Sequence, residues 1–145
     1  MNQARSVADL RYMKEEKIRK VIIVDDDEVD RKILERWCKK EDLQFSSCSN
    51  GKEAFDALKK DHFDLLISDL DMPIMGGISL IQEIKKLHLH IPSIAISANE
   101  NSAVKKAALE SGFDCFIPKQ TDFRDLSNLI SKEIVQHHFF SHKFK

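Results

Sequence analysis

Val21-Ile22-Ile23-Val24-Asp25-Asp26 and Leu65-Leu66-Ile67-Ser68-Asp69 are the two stretches on which the fold turns. Each is a short apolar run that breaks off at carboxylates. Neither shows the polar alternation of a strand with one wet face, so both read as strands of a parallel sheet covered on both sides. Parallel strands share a direction, and neighbours bring their carboxyl ends to one edge, where open α/β folds keep their ligand sites. Asp25, Asp26 and Asp69 are therefore expected to meet there. Three such carboxylates repel one another unless a hard cation joins them. An all-oxygen donor set points to Mg²⁺, with Mn²⁺ as a substitute.

The alternation occurs five times. Apolar runs at 20–24, 43–48, 64–68, 92–97 and 114–117 are separated by helical patterns. Val29, Ile33, Leu34 and Trp37 follow the first run at helical spacing. Asn50 and Glu53 form a capping-box pattern ahead of Ala54, Phe55 and Leu58. Leu80, Ile81, Ile84 and Leu87 mark the third helix. Val104, Ala107, Ala108 and Leu109 mark the fourth, which Gly112 closes. The last begins near Asp122 and carries Phe123, Leu126, Ile130 and Ile134. Five β/α units with short loops predict an α/β fold, a doubly wound five-stranded parallel sheet with right-handed crossovers and helices on both faces. Pro92 opens the fourth run and Pro118 closes the fifth, places where proline is tolerated, and Pro118 favours an edge position for the fifth strand.

A chain of 145 residues suits one domain with a sizeable core. Its net charge of −1 gives no field for nucleic acid or an anionic membrane. No apolar stretch approaches the ~20 residues of a membrane span, and the amino terminus lacks the apolar segment of a secretory signal. Cys38, Cys48 and Cys115 are odd in number and sit in apolar surroundings, as reduced core thiols of a cytosolic protein do. The expectation is a cytoplasmic, soluble protein with neither nucleic-acid nor membrane partners. Residues 1–19 form an N-terminal extension in which Ser6 and Asp9, then Val7, Leu10 and Met13, suggest a short helix. A homodimer or partner contact is its other expected use. The tail, residues 137–145, is rich in His and Phe. His138 and His142 would share a helix face, but no Cys or acid lies near to complete a metal site, so a solvated or partner-binding tail is expected. His88 and His90 read as loop residues.

Asp25-Asp26, Asp69-Leu70-Asp71-Met72-Pro73, Ser97-Ala98 and Lys119 stand in this order at the ends of strands one, three, four and five. In that set, and over about residues 21–136, the chain resembles a receiver domain of two-component response regulators. The resemblance implies a flavodoxin-like sheet of order 2-1-3-4-5, with a receiver over 20–136. It implies a phosphorylation-controlled switch, with no enzymatic activity beyond its own phosphorylation and dephosphorylation. Asp69 matches the phosphoacceptor. Asp25 and Asp26 match the acidic pair that holds Mg²⁺, and Asp71 the position whose backbone carbonyl joins the metal. Ser97 matches the hydroxyl that contacts the phosphoryl group, Lys119 the lysine after the last strand, and Phe116 the aromatic that changes rotamer on activation. Asp71 and Asn99 resemble the positions that tune the lifetime of the phosphoryl group. The chemistry is coherent: a carboxylate nucleophile can take a phosphoryl group, and the charge spread over its oxygens is neutralised by Mg²⁺ on one side and Lys119 on the other.

The implied donor is a sensor histidine kinase or a histidine phosphotransfer protein. The chain stops soon after the fifth helix, so output is expected through a downstream protein on the α4-β5-α5 face, formed by the fourth helix, fifth strand and fifth helix. A fragment lacking an effector is the other reading. Two departures from the family pattern stand out. Lys119-Gln120 replaces Lys-Pro, so the bond that is commonly cis in the family is left open between cis and trans, a cis form without proline costing ~3–4 kcal/mol, and Gly76-Gly77 replaces Asp-Gly. Three competing readings follow. An acidic pair after a strand can merely cap the next helix. A pseudo-receiver binds partners without phosphorylation, but commonly lacks the pair, the acceptor or the lysine. Asp69-Leu70-Asp71 also fits the Asp-x-Asp of haloacid-dehalogenase-like phosphatases, whose motif follows the first strand and carries Thr or Val where Pro73 stands.

Overall fold

The computed structural model describes residues 18–119, 128–130 and 132. Five strands, β1 (Lys20–Val24), β2 (Gln44–Cys48), β3 (Leu65–Asp69), β4 (Ser93–Ser97) and β5 (Cys115–Pro118), alternate with helices α1 (Glu28–Lys40), α2 (Gly51–Lys60), α3 (Gly77–Lys86) and α4 (Ser102–Ser111). The strands form one parallel sheet of order β2-β1-β3-β4-β5. The predicted flavodoxin-like order holds, and β1 and β3 are neighbours.

The unbroken apolar runs follow from burial on both faces. Val21 and Ile23 of β1, with Leu65, Ile67, Ile94 and Ile96, pack against Leu34, Trp37 and Cys38 of α1. Ile22 and Val24, with Leu66 and Ala95, pack against Ala54 and Leu58 of α2, Leu80, Ile81 and Ile84 of α3, and Ala108 of α4. Each fully buried Val, Leu or Ile contributes roughly 1.5–3 kcal/mol relative to exposure. The edges differ in kind. β2 carries Gln44, Ser46 and Ser47, and β5 ends in Pro118, as a strand with one unpaired side can.

The helix starts decide what the acidic pair is free to do. Asp27 caps α1, its Oδ1 accepting from the backbone N–H groups of Val29 and Asp30 at 2.8 and 3.2 Å. The cap is therefore neither Asp25 nor Asp26. Asn50 caps α2 through Glu53 N–H at 2.9 Å. Glu53 returns its carboxylate to the N–H of Ser49, one residue before the cap. Gly112, with φ of 129°, ends α4 in the left-handed region that favours glycine.

Three expected core positions lie outside the core. Val29 is 68% exposed, Leu87 43% and Leu109 38%. Val29 sits in the first turn of α1, past the carboxyl edge of the sheet. Leu87 is the residue at which α3 ends. Leu109 lies one step around α4 from the buried Ala108. Conversely Ile18, placed above in the N-terminal extension, is buried in the core. All three cysteines are buried. Residues 1–17, the Lys119–Gln120 bond and the 137–145 tail lie outside the described residues. Of the last helix, 128–130 and 132 are described and helical, with Ile130 in the core. No helix among the described residues is long and apolar enough to cross a membrane.

Candidate phosphorylation site

Register carries the site residues to one place. Val24 of β1 pairs with Ser68 of β3, so Asp25 and Asp69 leave neighbouring strands at the same level. Ile96 of β4 lies opposite Asp69, which puts Ser97 one step beyond. The ladder runs on past two strand ends: Asp25 N–H donates to the Cys48 carbonyl at 3.0 Å and Lys119 N–H to the Ser97 carbonyl at 2.8 Å. Backbone hydrogen bonds thus fix where both functional side chains begin.

One carboxylate oxygen from each of Asp25, Asp26 and Asp69 lies within 4.8 Å of the others. Asp25 and Asp69 are buried and Asp26 is exposed, so the cluster opens to solvent on one side. Asp25 Oδ1 accepts from Asp27 N–H at 2.9 Å. Its Oδ2 is buried and lies 2.9 Å from Lys119 Nζ, but receives no well-directed hydrogen bond. Asp69 is held at both oxygens. Its Oδ1 accepts from Leu70 N–H at 2.7 Å and Asp71 N–H at 3.3 Å, and its Oδ2 accepts from Lys119 at 3.1 Å. Ser68 Oγ donates to the Asp69 carbonyl at 2.7 Å, and the Cβ of any residue other than glycine at position 77 would lie 2.3 Å from that carbonyl oxygen. The departure at Gly76-Gly77 therefore leaves the glycine that must stay next to Asp69. Gly76 gives α3 no side-chain cap.

Electrostatics follow from burial and crowding. Burial, reinforced by the Asp69 charge, pushes the Asp25 carboxyl up to about 6, against the pull of Lys119 and Asp27 N–H. Burial also raises Asp69, which Lys119 and the two backbone N–H groups oppose. Burial pulls the Lys119 ammonium down, but Asp25, Asp30 and Asp69 more than offset that and hold it above the usual lysine value. An orphaned buried oxygen and three gathered carboxylates are the donor set of a hard cation such as Mg²⁺, and the group fits.

Ser97 is fully buried, and its Oγ accepts from Asn99 N–H at 3.0 Å. Asn99 is exposed, and its side-chain oxygen accepts from Asn101 N–H. Asp71 is exposed beside Asp69. Phe116 is half-buried against the core layer that contains Ala95 and Ala108. The described residues thus gather Asp25, Asp26, Asp69 and Lys119, while Phe116 lies within β5, the strand that ends just before Lys119. Sequence reasoning missed Asp30, whose carboxylate lies 2.9 Å from Lys119 Nζ, and Arg31, whose guanidinium donates to the Asp25 carbonyl at 2.7 Å. Both sit in the first turns of α1, where acids and bases usually read as solvated.

The family model for the response regulator receiver domain matches residues 21–131. The sensor histidine kinase RcsC of Escherichia coli (strain K12) is 34% identical over 99 residues, covering 68% of this chain and 10% of that protein. The chain thus spans about a tenth of the length of that curated relative. The Francisella response regulator 1452 receiver domain has 27% identity and a TM-score of 0.69, covering 79% of this chain and 97% of that one. A chain of the co-crystal structure of the Saccharomyces cerevisiae histidine phosphotransfer signaling protein Ypd1 and the receiver domain of its downstream response regulator Ssk1 has 23% identity and a TM-score of 0.71. It covers 80% of this chain and 88% of that one, a likeness of fold.

Proposed function

The chain belongs to the response regulator receiver domain family, and we propose that it is a phosphorylation switch that accepts a phosphoryl group on Asp69. The observation that carries this reading is the meeting of Asp25, Asp26 and Asp69 within 4.8 Å, with Lys119 Nζ 3.1 Å from the acceptor. A pseudo-receiver has no use for that arrangement. The phosphatase reading is disfavoured by an Asp-x-Asp that follows the third strand rather than the first.

Asp69 is oriented before the donor arrives, since both of its oxygens are engaged. A carboxylate oxygen forms the bond to phosphorus as the donor's bond to phosphorus breaks, and the departing donor keeps the electron pair. Asp25, Asp26, Asp69 and the backbone carbonyl of Asp71 are the groups that would hold Mg²⁺, which would supply positive charge for the transferring oxygens. Lys119 meets those oxygens from the other side. Ser97, whose Oγ already accepts from Asn99 N–H, keeps its O–H to donate to the phosphoryl group. Asp71 and Asn99 stand at the mouth of the site and tune the lifetime of the acyl phosphate. Phe116 answers by changing rotamer, which alters the face formed by α4, β5 and the last helix and offered to a downstream protein.

The donor is a sensor histidine kinase or a histidine phosphotransfer protein. The co-crystal structure of Ypd1 and the receiver domain of Ssk1 supplies the analogy. The receiver occupies 20–136, flanked by an N-terminal segment and a His/Phe-rich tail, and works in the cytoplasm. The test is intact mass after exposure to acetyl phosphate. One Mg²⁺-dependent phosphoryl group is expected on the unmodified chain and none on Asp69→Asn. Equal labelling of the two proteins sinks the assignment.

A further inference from the structure

Asp30 belongs to none of the motifs above, yet its carboxylate reaches Lys119 across 89 positions of chain. The Lys119 ammonium lies 2.9 Å from Asp25, 2.9 Å from Asp30 and 3.1 Å from Asp69. An ammonium has three hydrogens to donate. Asp30 and Asp69 take two of them, and Asp25 Oδ2 closes in the third side without a well-directed bond, so a phosphoryl oxygen arriving at Asp69 meets an ammonium enclosed by three carboxylates, one of which must give way. Asp25 and Asp69 are poorly placed to yield, because their side chains are 0% and 7% exposed and a buried carboxylate without its partner is costly. Asp30 is 33% exposed and can turn to water. Its backbone need not follow, since Asp27 caps its N–H and the adjacent Arg31 ties α1 to the Asp25 carbonyl.

Resting on the phosphorylation reading, we infer that Asp30 is a positioning residue, a counter-ion that restrains Lys119 in the unphosphorylated protein and is exchanged for the phosphoryl group when Asp69 is modified. Asp30 serves neither as nucleophile nor as cation ligand. Its effect is to slow phosphoryl capture, because Lys119 must leave it before neutralising the incoming charge.

The test compares the rate of Asp69 labelling by acetyl phosphate at saturating Mg²⁺ in the unmodified chain, Asp30→Asn and Glu28→Gln. Glu28 carries the same charge in the same turn but pairs with Lys32 at 3.6 Å. Asp30→Asn is expected to accelerate labelling by about threefold, the scale of a partly exposed ion pair, and Glu28→Gln to leave it unchanged. The acceleration is expected to vanish in a Lys119→Met background. Equal acceleration by Glu28→Gln overturns the inference, since net charge alone would then explain it. A urea double-mutant cycle on Asp30 and Lys119 needs no phosphoryl donor: coupling sustains the pairing and strict additivity overturns it. If the unmodified chain takes no label, the phosphorylation reading fails while that cycle still decides the pairing. Should Lys119→Met not fold, the comparison with Glu28→Gln decides alone.

Discussion

Neutralising Asp25 should make the metal-free protein more stable, even though it removes a central site residue. The Asp25 carboxyl is held at about 6 in the fold against 3.8 in the unfolded chain, chiefly by burial. The folded state therefore binds that proton more tightly than the unfolded state does. The associated stability is complete below about pH 4 and is lost as pH rises through about 6. About two pKa units at 1.36 kcal/mol each make the cost of ionised Asp25 about 3 kcal/mol at pH 8. That balance already includes the attraction of Lys119. Asp25→Asn keeps an acceptor for Asp27 N–H and sheds the charge. With a urea slope of roughly 1–3 kcal/mol/M for a domain of this size, the midpoint in EDTA at pH 8 should rise by about 1–3 M. Near pH 4 the two proteins should unfold together. Trp37, fully buried and the single tryptophan, reports the transition by fluorescence. A variant no more stable at pH 8, or a stability gap that ignores pH, refutes the reasoning.

Other outcomes follow from the same geometry. Mg²⁺ should stabilise the unmodified chain by about 1.4 kcal/mol at ten times Kd, more at pH 8 than at pH 5 because the carboxylates must be ionised. Thermal melts with and without the ion check this, and Asp25→Asn should lose the effect. Gly77→Ala forces a Cβ to within 2.3 Å of the Asp69 carbonyl oxygen and should cost about 1–3 kcal/mol in urea unfolding. Full stability in that variant would mean the β3–α3 junction has more room. Burial pushes the Cys38 thiol up to about 12 and the Cys48 thiol up to about 11. Iodoacetamide at pH 8 should therefore spare both until urea is added, and stoichiometric native labelling would contradict that burial.

Most of the fold was legible because two-sided burial removes polar alternation, so Val21–Val24 and Leu65–Ile67 could only be interior strands. The meeting of Asp25 with Asp69 followed from strand direction and needed no side-chain detail. What periodicity could not give was where a helix overruns the sheet. Val29 keeps the helical spacing of Leu34 and Trp37, yet stands beyond the carboxyl edge in open solvent. Asp30 was hidden for a different reason. An acid in the first turn of a helix is explained locally by the dipole, and its link to Lys119 exists only once β5 lies against β4. Asp27 was equally silent as the cap of α1, although its presence is what frees Asp25 and Asp26 from that task.

The proposed switch depends on Asp69 taking the phosphoryl group. Borohydride reduction of protein labelled with acetyl phosphate and Mg²⁺, followed by peptide mapping, reads this directly, because reduction converts an aspartyl phosphate into homoserine. Homoserine at position 69 and at no other acid is the predicted result. Homoserine at Asp25, Asp26 or Asp71, with position 69 unchanged, would contradict it.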